Sequence, residues 1–188
     1  AAKLKKYYWL NLEALSENLL KPGQQLKRVK YFTAKIKPFQ GNYEKPKRQH
    51  TFLEALGTLK NFDIYYGHYL RKTTTCKKCG ACWNTPEEKM SDVNLSVTLL
   101  EDAFMDRFDT ALVISGDSDL STPIDRVLTL FPDKRIIVVF PPQRSSDQLR
   151  KKATANFRIG RKKLKDSQFP DKVYAKAGKV LQRPQRWQ

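Results

Sequence analysis

The sequence predicts an α/β fold whose parallel sheet is covered on both faces, and three observations lead there. Strand-like and helix-like segments alternate along the 188 residues, the order that builds parallel sheets through helical crossovers. Two strand segments, 109–114 and 134–140 ("KRIIVVF"), are continuous apolar runs, as expected of strands buried on both sides. With 40% apolar and 11% aromatic residues the chain is globular. It is long enough for one good core and too short for two comfortable ones.

Element by element, "NLEALSENLL" (11–20) reads as a helix closed by Pro22-Gly23, and 26–36 alternates like a strand. Residues 49–62 have helical spacing, and "DIYYGHYL" (63–70) reads as a strand. A loop holding three cysteines comes next, then a helix from about 86 to 108. On that helix Val93, Val97, Leu100 and Phe104 fall within about 60° of one another and are expected to form the buried stripe. Asp102 is expected in solvent and Asp92 on the stripe's flank. Strand 109–114, helix 119–130 and strand 134–140 come next, the last ended by Pro141-Pro142. A helix near 146–155 and a short strand "FRI" complete a domain expected over 1–170. Residues 171–188 read as a loosely ordered basic extension.

Lys and Arg number 36 against 19 Asp and Glu, a formal net charge of +17 that draws polyanions by counterion release. Nucleic acid is the expected partner ahead of a membrane: no apolar run approaches a span, and no basic amphipathic helix carries bulky anchors. The first residues are basic but hold no apolar stretch of the secretory kind. Cys76, Cys79 and Cys82 lie within "CKKCGAC", an odd cluster that suits a reducing, cytoplasmic setting better than a disulfide framework.

Against this basic background, "ALVISGDSDL" (111–120) puts Asp117 and Asp119 at the carboxyl end of an apolar strand, where α/β sheets bind ligands. A helix cap accounts for one of them. Asp92, on the preceding helix, is a third acid, explained equally by a favourable place near a helix N-terminus. Two carboxylates about 4 Å apart cost roughly 4 kcal/mol at an effective dielectric near 20. A hard cation such as Mg²⁺ or Mn²⁺ removes that cost and can act on a phosphodiester.

Residues 87–124, "EEKMSDVNLSVTLLEDAFMDRFDTALVISGDSDLSTPI", with Glu88-Lys89, Asp92-Val93 and Ser115-Gly116-Asp117-Ser118-Asp119, resemble the core of the NYN domain family, a branch of the PIN-like nucleases. "VVFPPQRSSDQL" (138–149) resembles the segment that comes next in that family. The likeness is strongest from Gly67 to Leu164. It implies a PIN-like three-layer α/β/α fold with a central mostly parallel sheet. It also implies a Mg²⁺- or Mn²⁺-dependent ribonuclease site at Asp92, Asp117 and Asp119, supported by Ser115 and Asn94. The family opens with a strand carrying a further Asp and, shortly after, an Asn. No such strand precedes Trp9, and it is expected to lie upstream of these residues.

Cys76-x-x-Cys79, with Cys82 and a candidate fourth ligand in His68, has the spacing of a zinc knuckle. Reduced, unliganded thiols and a groove-lining or surface His68 are the alternatives. Arg144, Arg150, Lys151 and Lys152 follow strand 134–140 at the same edge as the acids and are expected to hold RNA phosphates. The rival to a ribonuclease is a catalytically incomplete RNA-binding module of the same fold. An Asp-x-Asp nucleotide-sugar transferase fits the +17 charge poorly.

Overall fold

A computed structural model describes residues 2–38 and 43–187. The α/β alternation is present: α1 (Leu12–Leu19), β1 (Val29–Ala34), α2 (Glu44–Leu56), β2 (Phe62–Thr75), β3 (Cys82–Lys89), α3 (Ser91–Phe104), β4 (Thr110–Ile114), α4 (Ser121–Leu130), β5 (Arg135–Phe140), α5 (Asp147–Lys152), β6 (Ala155–Arg158), α6 (Arg161–Asp166), β7 (Lys172–Tyr174) and β8 (Val180–Gln182).

In place of one central sheet, the described strands form two three-stranded sheets and a hairpin. β4, β5 and β6 are parallel throughout. β1 runs parallel to β2, while β2 and β3 are antiparallel, so this second sheet is mixed. β1 and β4 are each paired along one edge only.

β5 is the best-covered strand, and its sequence says why. Ile136, Val138 and Phe140 enter a cluster with Leu99, Ala103, Ile124, Val127 and Leu149 from α3, α4 and α5. Ile137 and Val139 point the other way, to Leu15 of α1 and Leu164 of α6. Successive strand residues face opposite sides, so an unbroken apolar run fills both.

Three expectations are corrected. Residues 82–89 are strand β3, not the start of a helix: "CWNTPEEK" pairs with β2 from Thr75↔Cys82 to His68↔Lys89. Pro86 is tolerated because β3 is an edge strand with one side unpaired. On α3 the supposed buried stripe faces solvent: Val93 is 52%, Val97 60% and Phe104 73% exposed. The buried residues are Thr98, Leu99 and Ala103, and the small Thr98 and Ala103 let the helix approach the sheet. That approach takes Asp102 out of solvent, with both carboxylate oxygens 2.7 Å from Lys30 Nζ of β1.

The basic tail is not loose. β7 and β8 form a hairpin that buries Val173 and Leu181 against Trp9, Leu53, Leu56 and Phe169. Trp9 is fully buried and its indole N–H donates to Pro170 O at 2.8 Å. Phe169 N–H donates to Trp9 O at 3.0 Å. No helix among the described residues is long and apolar enough to cross a membrane.

Candidate functional site

Asp117 and Asp119 sit in the turn leaving β4. The Asp117 carboxylate caps the short 3-10 turn Ser118–Leu120 by accepting from Asp119 N–H at 3.0 Å. The Ser115 hydroxyl accepts from Asp117 N–H at 3.1 Å. Buried Leu120 and Ile124 anchor the start of α4, so the turn is fixed from both ends. Gly116 is required here: a Cβ would lie 2.9 Å from Arg144 Cβ, closer than side chains tolerate. The turn and Arg144 are therefore direct neighbours.

Asp92 is in the first turn of α3. That corner is held by short-range bonds: the Ser91 hydroxyl donates to Glu88, and Asn94 Nδ2 donates to Tyr66 O at 3.4 Å. Gly67 of β2 lies so near Lys89 O that no Cβ would fit between them. The β3–α3 corner is thereby pressed onto β2, which sets Asp92 opposite the β4 turn.

The electrostatics record that meeting. The Asp92 carboxyl is held above its ordinary pKa first by partial burial, then by the charges of Asp117, Asp119 and Glu88. The three acids expected from the sequence thus share one neighbourhood, and Glu88 joins them. Its signal is present in "EEK", but a helical reading of 86–108 hides it; on β3 its carboxylate also accepts from the Tyr69 hydroxyl at 3.2 Å. Among the described residues, no three His, Cys, Asp or Glu side chains are gathered tightly enough to hold a metal ion. The donor chemistry of the acidic group, carboxylate oxygen throughout, nonetheless suits a hard divalent cation.

The expected cations fare unequally. Arg144 abuts the acidic turn. Arg150 lies over the Phe140 ring at 5.2 Å and reaches Asp147 at 3.8 Å. Lys152 is paired with Asp125 at 2.9 Å. Lys151 is exposed in the last turn of α5.

His68 and the cysteines are not brought together. His68 is at the root of the β2–β3 ribbon, opposite Lys89, while Cys76, Cys79 and Cys82 occupy its tip. The seven steps from His68 to Thr75 span about 24 Å at about 3.4 Å each.

A separate cleft of about 590 Å³ lies among Tyr8, Tyr31, Phe52 and Trp187, with Arg48 and Arg186 on its wall. Phe52 and Trp187 meet edge to face at 6.0 Å.

The chain is 29% identical over 168 aligned residues to the 6-hydroxy-3-succinoylpyridine 3-monooxygenase HspA of Pseudomonas putida, covering 72% of this chain and 53% of that protein. It therefore spans about half the length of this relative. The solved structure of a Vibrio parahaemolyticus protein of unknown function superposes with a TM-score of 0.51 at 19% identity, covering 88% of this chain and 81% of that one. At that identity the likeness speaks for the fold alone. The model of the NYN domain matches residues 2–159, which include the β4 turn, the β3–α3 corner and Arg144. The chain belongs to the NYN domain family.

Proposed function

We propose that the chain is a metal-dependent ribonuclease that hydrolyses RNA phosphodiesters endonucleolytically in the neighbourhood shared by Asp92, Asp117 and Asp119. The observation that carries this reading is the placing of Asp92, at the start of α3, in one neighbourhood with Asp117 and Asp119 of the β4 turn and Glu88, whose charges add to partial burial in raising the Asp92 pKa, on a chain of net charge +17. Such a concentration of like charge is costly to the fold alone, and a divalent cation relieves it.

Asp92, Asp117 and Asp119 would hold Mg²⁺ or Mn²⁺, which when bound supplies charge neutralisation at the phosphodiester and an acidified water. Ser115 would keep the β4 turn in shape and Asn94 would tie the start of α3 to β2. Arg144 would seat a phosphate beside the acids, with Arg150 and Lys151 further along; Lys152, paired with Asp125, would contribute least. Phosphate contacts of this kind position RNA without reading its sequence. The PIN-like three-layer α/β/α arrangement belongs to the same proposal. β1 and β4 each have one unpaired edge, and a strand between them would join the two sheets into one central, mostly parallel sheet. A cytoplasmic setting is inferred from the clustered thiols.

The test is cleavage of end-labelled RNA with Mn²⁺, Mg²⁺ or EDTA. Asp117→Asn should lower the rate by at least 10–100-fold while RNA binding stays equal or tightens. Cleavage at the parent rate by Asp117→Asn overturns the reading.

A second reading has its own observation. The ring-lined cleft with Arg48 and Arg186 suits a small anionic aromatic molecule, and the printed name of the Pseudomonas putida relative describes a monooxygenase of a succinoylpyridine. Calorimetric titration with an aromatic carboxylate separates the two readings, because Arg48→Ala should remove that binding and leave RNA cleavage unchanged.

A further inference from the structure

The β2–β3 ribbon is the part of the molecule that the acidic site does not use. Beyond its root both strands are largely exposed on both faces. A lone two-stranded ribbon is marginally stable in water, so a segment that extends it by about 24 Å calls for something at the tip.

The tip is a built turn. Cys76 N–H donates to Ala81 O at 2.8 Å and Gly80 N–H donates to Cys76 O at 2.9 Å. Cys76 and Cys79 are three positions apart within this one tight turn. A closed Cys-x-x-Cys turn of this kind can present two sulfurs to one metal ion. Cys82 is turned aside: its Sγ is 3.3 Å from Thr75 Oγ1 and 3.5 Å from Gly80 O. His68 is at the far end of the ribbon. Among the described residues no third ligand joins the pair.

A tetrahedral zinc needs four ligands, and the tip offers two. We propose that Cys76 and Cys79 form half of a zinc site that a second copy of this chain completes, joining two molecules tip to tip. A two-fold axis through the metal makes both halves identical, which is the simplest closed assembly. Charge argues for the same occupant. Zinc with four thiolates keeps two negative charges, and Lys77 and Lys78 of each copy surround it with positive ones. Two bodies of net charge +17 repel. Ribbons about 24 Å long keep them further apart than the screening length of about 8 Å at physiological salt. The inference does not depend on the nuclease reading.

The experiment uses the full chain, reduced with a phosphine so that no disulfide forms, titrated with zinc alone and followed by native mass spectrometry and light scattering. The expected result is a dimer holding one zinc per two chains, dissociated by EDTA. Cys76→Ser and Cys79→Ser should each abolish zinc uptake and dimerisation, and Cys82→Ser should leave both intact. Because the tip is exposed, an unchanged melting temperature of the zinc-free variants shows that they remain folded. One zinc per monomer, loss of zinc in Cys82→Ser, a dimer insensitive to chelator, or no zinc uptake at all would each overturn the proposal.

Discussion

β5 and the outer half of β2 are both strands, yet one is sealed on two faces and the other is bare on two. "RIIVVF" places an apolar side chain at each step after Arg135, and from Ile136 to Phe140 all five are buried. "HYLRKTTT" alternates weakly and carries hydroxyls and cations that gain nothing from burial. Leu70 is left 51% exposed. The difference teaches that strand formation here has two sources. β5 is held by its apolar contacts with α1 and α3 to α6, whereas the ribbon is held by its own ladder and by whatever its tip binds.

The comparison breaks first at β5. Phe140→Ala should destabilise the protein by about 3–5 kcal/mol, seen as a lower urea midpoint, whereas Leu70→Ala on the ribbon should stay within about 0.5 kcal/mol. Equal losses at the two positions would mean that the ribbon packs on something in solution.

A smaller effect is expected where the mixed sheet meets α3. Asp102→Asn removes a sheltered partner of Lys30 that also pairs with Arg107. It should cost about 2–3 kcal/mol in the same denaturation assay, less than a fully buried pair because solvent still reaches both groups.

The smallest effect has the opposite sign. The fold holds the Asp92 carboxyl above its ordinary pKa, so the native state binds that proton more tightly than the unfolded chain does. The stabilising share is complete below the ordinary aspartate value of about 3.9 and is lost as pH rises through the raised one. At pH 7 the ionised group is a net cost. Asp92→Asn should therefore raise the melting temperature at pH 7 by about 1–3 °C, with the gain gone near pH 3.

Legibility in the sequence divides along the same line. β5 and the β4 turn are legible because a continuous apolar run ending in Ser-Gly-Asp has few alternative structures. α3 is legible as a helix but not in its orientation. Leu95, Leu99 and Ala103 recur at helical spacing just as Val93, Val97, Leu100 and Phe104 do. The choice of face is made by Lys30 and by the small Thr98 and Ala103, which belong to tertiary packing. β3 is hidden because Pro86 followed by Glu87-Glu88 imitates a helix start, and Glu88 is lost from the site with it. The single central sheet is an expectation of family likeness, whereas the described strands divide into two sheets with one unpaired edge at β1 and one at β4.

The bond between Trp9 and Pro170 spans 161 residues, and it has a consequence for how the chain is made. At about 5–20 residues per second of synthesis, Trp9 emerges roughly 10–30 s before Pro170 and Phe169 exist to cover it. β4 and β5, both complete by Phe140, can pair with each other and meet α3 and α4 earlier, before Leu149 and Leu164 are made to cover them. The nascent chain can therefore pair β4 with β5 while Trp9, already beside Phe52, Leu53 and Leu56, still lacks Phe169, Pro170 and the β7–β8 hairpin. A ribosome that stalls before residue 169 holds a chain whose Trp9 lacks Phe169, Pro170, Val173, Leu181 and Trp187, and is available to chaperones and to aggregation alike.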